Sequence, residues 1–117
     1  MEQINRIELR GNVGNVKLQK VGDTNVMRFS LATNYAFKDK EGNPVIETTW
    51  HNVTAWPGKG IPDPSLIVKG ALVHLVGRMR CQKFEGADGT DRTIYEVLAS
   101  KVNILDSDEP VQPSFGI

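Results

Sequence analysis

Two tryptophans, Trp50 and Trp56, stand six residues apart in the segment 46–56, which is rich in β-branched and aromatic residues and contains no Gly or Pro. This composition is typical of a β-strand. Successive side chains of a strand point to opposite faces. The pattern therefore predicts a small, mostly apolar, core-facing side and an opposite face that carries Thr48, Trp50, Asn52, Thr54 and Trp56.

Flat aromatic rings among hydroxyl and amide side chains form a platform on which a planar ligand can stack. Nucleic-acid bases are the commonest planar partners, and each stacked base contributes ~1–3 kcal/mol by alanine substitution. Two alternatives remain open from this segment alone. The tryptophans would also suit the inside of a barrel or a contact between subunits.

The remaining reactive side chains do not form a catalytic pattern. Neither His51 nor His74 has carboxylate or cysteine neighbours at metal-ligand or nucleophile spacing. A single cysteine, Cys81, excludes an internal disulfide framework and a cysteine-based zinc site. We therefore predict no enzymatic activity, no cofactor and no metal, and we expect Cys81 to be a buried or half-buried thiol.

The N-terminal residues and the hydropathy of the chain bear on its location in the cell. Residues 1–6 lack the basic-then-apolar order of a signal peptide. No apolar run approaches the ~20 residues that cross a bilayer. Together with the single cysteine, these features predict a cytoplasmic, nucleoid-associated protein in a reducing compartment.

The charge is unevenly distributed along the 117 residues, although the total is 14 basic and 14 acidic side chains. Residues 106–117 contain three acids and no base, so residues 1–105 carry 14 basic and 11 acidic residues, a net charge of +3. This mild excess is compatible with salt-sensitive binding to a polyanion. We expect one domain over 1–105 and a short, acidic, disordered tail over 106–117.

Hydrophobic alternation predicts five strands, of which the first bends at Gly11 and Gly14. The second strand has an apolar face of Met27, Phe29 and Leu31. The polar segment 34–44 is expected to be a loop or a long hairpin, and 64–69 a short helix. The strands are predicted at 4–21, 26–33, 46–56, 72–84 and 93–105. An all-β chain of this order is an OB-fold, a five-stranded Greek-key barrel with one short helix between strands 3 and 4.

The sequence resembles the bacterial single-stranded DNA-binding proteins across residues 4–105. The matching pieces are Arg-Gly-Asn-Val-Gly at 10–14, Phe-Ser-Leu-Ala-Thr at 29–33, Thr-Trp-His at 49–51, Lys-Gly at 69–70, Val-Gly-Arg-Met-Arg at 76–80 and Gly-Thr-Asp-Arg at 89–92. The resemblance implies homotetramers of OB-folds that bind and protect single-stranded DNA during replication, recombination and repair. It also implies binding with little base specificity.

The resemblance assigns roles to individual residues. It implies that bases stack on four aromatic side chains, that basic side chains meet phosphates, and that His51 lies at a subunit contact. The aromatic residues are Phe37, Trp50, Trp56 and Phe84, and the basic residues are Lys38, Lys40, Lys59, Lys69, Arg80, Lys83 and Arg92. Gln82 stands where the family often has a basic residue.

The C-terminal residues depart from the family pattern. Family members usually carry a Gly- and Pro-rich linker that ends in an acidic tip with Ile-Pro-Phe, and this tip recruits replication and repair proteins. Here the acids come early, at Asp106, Asp108 and Glu109, so the recruiting peptide is either degenerate or absent. This leaves a dimeric relative that assists replication restart as an alternative function. An OB-fold enzyme or an oligosaccharide-binding module is a third hypothesis, supported by fold alone.

Overall fold

The computed structural model describes residues 2–105, and the predicted tail at 106–117 lies outside the described residues. The described chain forms five long strands and one 3₁₀ turn. The strands are β1 (Ile7–Val21), β2 (Thr24–Lys38), β3 (Pro44–Ala55), β4 (Leu72–Glu85) and β5 (Asp91–Leu105), and the turn is Pro64–Leu66.

The strands close into a barrel in the order β1-β2-β3-β5-β4, with β4 pairing back onto β1. The pairing of β3 with β5 is parallel, and the other pairings are antiparallel. This arrangement confirms the predicted five-stranded OB-fold barrel.

The predicted helix at 64–69 is wrong in length, because only the 3₁₀ turn Pro64–Leu66 forms. Asp63 caps it by accepting a hydrogen bond from the Ser65 backbone N–H at 3.0 Å. Ile67 then leaves helical geometry, with φ −91° and ψ 98°, and its side chain is buried in the barrel core. The turn therefore ends at Ile67, where the extended backbone coincides with a side chain buried in the core.

The polar segment 34–44 is a long hairpin, the second of the two predicted possibilities. Strand β2 continues to Lys38 instead of ending at residue 33, and Lys38 pairs with Pro44 across the hairpin. The Thr48 hydroxyl donates to Asn34 Oδ1 at 2.6 Å, which links the two strands. This arm projects with most of its residues exposed, so it lacks the alternating burial by which strands are recognised in sequence.

The core lies inside the barrel and is built from inward side chains of every strand. The predicted apolar face of β2 is confirmed, because Met27, Phe29 and Leu31 are all buried. They pack with buried residues that the other elements contribute, namely Val13, Val53, Ala55, Ile67, Val73, Leu75, Val97 and Val102.

Two irregularities bend the strands so that the barrel can close. The β1–β2 register shifts between Val13 and Val16, close to the bend predicted from the glycines. A second shift lies between Val76 and Gly77 in the β4–β5 pairing. A Cβ at Gly77 would overlap the carbonyl oxygen of Leu98, so only glycine permits this close approach of the two strands.

The expectation for Cys81 is wrong, because this thiol is exposed. The residue lies on the part of β4 that extends beyond the barrel as an arm with β5, where most side chains are exposed. Small size and apolar character do not bury a side chain where no second layer covers the strands.

Candidate nucleic-acid interface

The two tryptophans lie on the outer face of the barrel. In β3, Val53 and Ala55 are buried in the core, while Trp50 is 61% exposed and Trp56, one residue past the end of the strand, is 45% exposed. The predicted alternation is therefore confirmed, and the alternative that the rings line the barrel interior is wrong.

The outer face continues from β3 onto β5 and β4. Thr54 of β3 pairs with Leu98 of β5, and Leu98 pairs in turn with Arg78 of β4. Directly paired residues share a face, and alternation then places every second residue of β4 on it. The face consequently carries Arg78, Arg80, Gln82 and Phe84 beside the two tryptophans.

A buried carboxylate occupies the middle of this face. Glu96 of β5 accepts a hydrogen bond from the Thr54 hydroxyl at 2.7 Å and one from Arg80 Nε at 2.8 Å, and Arg80 Nη2 also binds it. Burial alone would raise the pKa of Glu96, but the bonds from Thr54 and Arg80 and the charges of Arg80 and Arg28 hold the pKa below its ordinary value. Part of the Arg80 charge is therefore already neutralised.

The Trp50 ring rests against the irregular segment of β1. A Cβ added at Gly14 would lie 2.7 Å from Cζ3 of the indole and 2.6 Å from the Ser30 hydroxyl oxygen. That hydroxyl oxygen accepts a hydrogen bond from the Asn15 backbone N–H at 2.9 Å, which fixes the bent backbone. Gly14 thus leaves the space in which the indole lies.

Phe84 and Arg92 are neighbours on the β4–β5 arm, where they pair directly. Phe84 is 43% exposed, and the Arg92 guanidinium lies 3.7 Å from Asp88. Alternation places Lys83 on the opposite side of the same arm. The structure thus brings Phe84 and Arg92, but not Lys83, onto the face that holds Arg80.

Phe37 does not share a face of the β2–β3 hairpin with Trp50. It pairs with Val45, whereas Trp50 pairs with Ala32, and the intervening alternation places the two rings on opposite sides. Phe37 is 40% exposed, and its ring centroid lies 6.0 Å from that of Tyr35. The Tyr35–Phe37 pair is a separate aromatic surface on the arm.

Asp39 organises the hairpin tip that carries two of the predicted lysines. Its Oδ1 accepts the backbone N–H of Asn43 at 2.8 Å and of Glu41 at 2.9 Å, and these bonds lower the pKa of Asp39 although desolvation opposes them. The turn presents Lys38 and Lys40 to solvent. The other predicted lysines on loops, Lys59 and Lys69, are also exposed.

His51, predicted at a subunit contact, points to the other face of β3 from Trp50. Its Nε2 lies 2.9 Å from the Thr33 hydroxyl oxygen. Burial lowers the pKa of His51, so the neutral imidazole predominates near pH 7. The subunit contact itself stays a prediction.

Several basic residues near the face were not singled out from the sequence. Lys17 and Arg28 line a cleft of about 400 Å³ together with Asn52, Gln82 and Glu96. Alternation along β2 places Arg28 on the face opposite the apolar one, so the sequence alone predicts that Arg28 points outward. Its position across from Thr54 required the strand register, which the sequence does not give.

Metal binding and membrane insertion would each need a different arrangement of residues. Within residues 2–105, no three His, Cys, Asp or Glu side chains gather where they could hold a metal ion. Over the same residues, no helix is both long and apolar enough to span a membrane.

The fold and the outer face define an OB-fold barrel with exposed aromatic rings. A profile of the single-strand binding protein family matches residues 4–105. The chain belongs to this family.

Similar proteins support the assignment. The chain is 33% identical over 105 residues to the single-stranded DNA-binding protein of Neisseria meningitidis serogroup A, a match over 87% of this chain and 60% of that protein. It is 35% identical over 105 residues to that of Xylella fastidiosa, covering 87% of this chain and 63% of that protein. The chain thus matches less than two thirds of the length of these relatives.

Solved structures agree in fold. The Plasmodium falciparum protein in complex with single-stranded DNA superposes with a TM-score of 0.77 at 25% identity, over 91% of this chain and 98% of that chain. A deletion mutant of the Thermus aquaticus single-stranded DNA-binding protein gives a TM-score of 0.73 at 20% identity, over 90% of this chain and 52% of that chain. The second comparison supports the fold alone.

Proposed function

We propose that the chain binds single-stranded DNA without sequence preference and protects it during replication, recombination and repair. The observation that carries the proposal is the pair of exposed indoles, Trp50 and Trp56, on a barrel face that also presents arginines. Membership of the family and the similarity to a protein solved with single-stranded DNA support it.

Binding in this proposal combines stacking with charge. Unpaired bases lie against Trp50, Trp56 and Phe84 on the outer face, and against Phe37 where the strand passes the hairpin arm. Phosphates meet Arg80 and Arg92 on the outer face and Lys38 and Lys40 at the hairpin tip. They meet Lys59, Lys69 and Lys83 where the strand passes beyond that face. Because phosphate contacts carry no sequence information and stacking accepts every base, little base specificity is expected.

The protein acts by binding alone in this proposal, without catalysis, cofactor or metal. The net charge of residues 1–105 is only +3, which favours an assembly that pools the charge of several copies along one strand. A homotetramer with His51 at a subunit contact meets this requirement. We place it in the cytoplasm, associated with the nucleoid, with replication and repair proteins as possible partners.

The test is a direct binding comparison by fluorescence anisotropy. A labelled thymidine oligomer and a duplex of equal length are titrated at 50 and 200 mM salt. Tight binding to the single strand, weaker binding to the duplex and loss of affinity at high salt are expected. Equal affinity for both, or none for the single strand at 50 mM salt, would overturn the proposal. Light scattering on the same samples distinguishes the tetramer from the dimeric alternative.

A further inference from the structure

A cleft of about 630 Å³ adjoins Trp56 and reaches the segment that precedes β1. The bulged part of β4 at Val76 and Gly77 and the facing residues 98–100 of β5 line one side. Three arginines also line the cleft, namely Arg6, Arg78 and Arg80. Its volume falls within the range of sites that hold small organic ligands.

The segment before β1 is fixed to β4 by one side chain. Asn5 Nδ2 donates to the Met79 carbonyl at 2.7 Å, and Asn5 Oδ1 accepts the Met79 backbone N–H at 3.0 Å. Ile7 pairs with Gly77 at the start of the β1–β4 ladder, and two residues further on Asn5 faces Met79 in the same register. The Asn5 side-chain amide therefore makes the two hydrogen bonds that a paired backbone residue would make, and it continues the β1–β4 ladder beyond the end of β1.

This register brings two positive charges together. Arg6, between Asn5 and Ile7, stands opposite Arg78, between Gly77 and Met79. Within residues 2–105 neither guanidinium forms an ion pair with a carboxylate, whereas Arg80 is bound by Glu96. Like charges directly opposite each other are destabilising. The fold thus lines one cleft with an indole and with two arginines that form no ion pair among the described residues.

We propose that this cleft is a nucleotide subsite, in which a base stacks on Trp56 and its phosphodiester lies between Arg6 and Arg78. Guanidinium groups bind phosphate through paired hydrogen bonds, and an anion between them removes their repulsion. The inference rests on the proposed function and extends the path of the strand from β3 across β5 and β4 to the residues before β1.

The test removes the arginine pair and measures the salt dependence of binding. The variant R6Q/R78Q is compared with R10Q/K20Q, which removes the same charge from exposed positions of β1 outside the cleft. Each lost contact to a single strand lowers the slope of log K against log salt by about 0.7. The slope of R6Q/R78Q should fall by about 1.4, which reduces the loss of affinity between 50 and 200 mM salt about sevenfold.

A second measurement separates binding from folding. Because the arginines repel each other in the free protein, the thermal midpoint of unliganded R6Q/R78Q should equal or exceed that of the wild type. A lower midpoint would mean that the pair serves the fold and would overturn the inference.

The outcomes also separate this inference from the proposed function. Suppose that the wild-type protein binds the oligomer, but the slope of log K against log salt of R6Q/R78Q is unchanged or falls no more than that of R10Q/K20Q. This result overturns the subsite alone. A wild-type protein that does not bind the oligomer overturns both.

Discussion

Replacing Glu96 by Gln should weaken the fold and strengthen DNA binding at once. Glu96 is the carboxylate that holds Arg80 on the outer face, and its side chain is 8% exposed against 35% for Arg80. Glutamine can still accept the Thr54 hydroxyl, but it no longer neutralises the guanidinium. The E96Q variant therefore frees a positive charge at the centre of the face on which we place the strand.

E96Q should lose stability because the hydrogen bonds from Thr54 and Arg80 to residue 96 no longer end on a charged carboxylate. Hydrogen bonds to charged groups contribute roughly 1.5–3 kcal/mol, and screening at the partly exposed Arg80 reduces this, so we expect a loss of about 1–2 kcal/mol. Because the native pKa of Glu96 lies below 4.5, its contribution is present above that pH and declines as the pH falls through the native pKa. The difference in unfolding free energy between wild type and E96Q should shrink accordingly in acid.

The binding gain follows from one additional phosphate contact. The slope of log K against log salt should steepen by about 0.7, so the advantage of E96Q should be about 2.5-fold larger at 50 mM than at 200 mM salt. Chemical unfolding and anisotropy titrations measure the two effects. The control D23N removes an acid from the β1–β2 turn and should leave both nearly unchanged. Weaker binding by E96Q, or an unchanged slope, would show that Arg80 does not face the bound strand.

Three further predictions concern the two tryptophans, Gly14 of β1 and His51 of β3. W50A and W56A should each weaken binding by ~1–3 kcal/mol with nearly intact folding, since both rings lie on the outer face and neither is buried; failure of either variant to fold would show that its ring is part of the core. G14A should displace the Trp50 indole, because the new Cβ would lie 2.7 Å from Cζ3. The tryptophan fluorescence of the free protein should shift and the affinity for single-stranded DNA should fall. If both stay unchanged, Gly14 does not position the indole. Because burial lowers the native pKa of His51 below 6.5, the unfolded chain binds more protons as the pH falls through that value, so this residue should make the protein less stable there. H51Q should flatten that dependence in urea unfolding, and an equally steep curve would contradict it.

The strand face of Trp50 and Trp56 was predictable because alternation within one strand is a local property. Core residues of β2 were readable for the same reason. The hairpin formed by residues 34–44 was ambiguous because an exposed two-stranded arm has no buried side, so its sequence resembles a loop. Local patterns therefore identify a face only where one side of the strand is buried.

The register between strands could not be predicted from the sequence in the same way. The opposite directions of Phe37 and Trp50 follow from the register of β2 with β3. The Arg80–Glu96 bond follows from that of β4 with β5, and the position of Arg6 opposite Arg78 depends on the Asn5 bonds to Met79. Each of these requires knowing which residues of two distant segments stand side by side, and a one-residue change in register would reverse the faces.

The most direct measurement titrates poly(dT) into the two single-tryptophan proteins W50F and W56F and follows the remaining indole by fluorescence. Each variant keeps an aromatic ring at the changed position, so binding is retained. We predict strong quenching in both, because an unpaired base covers each exposed ring. Unchanged emission from both tryptophans, while anisotropy of a labelled strand still reports binding, would place the DNA elsewhere on the barrel and contradict the account.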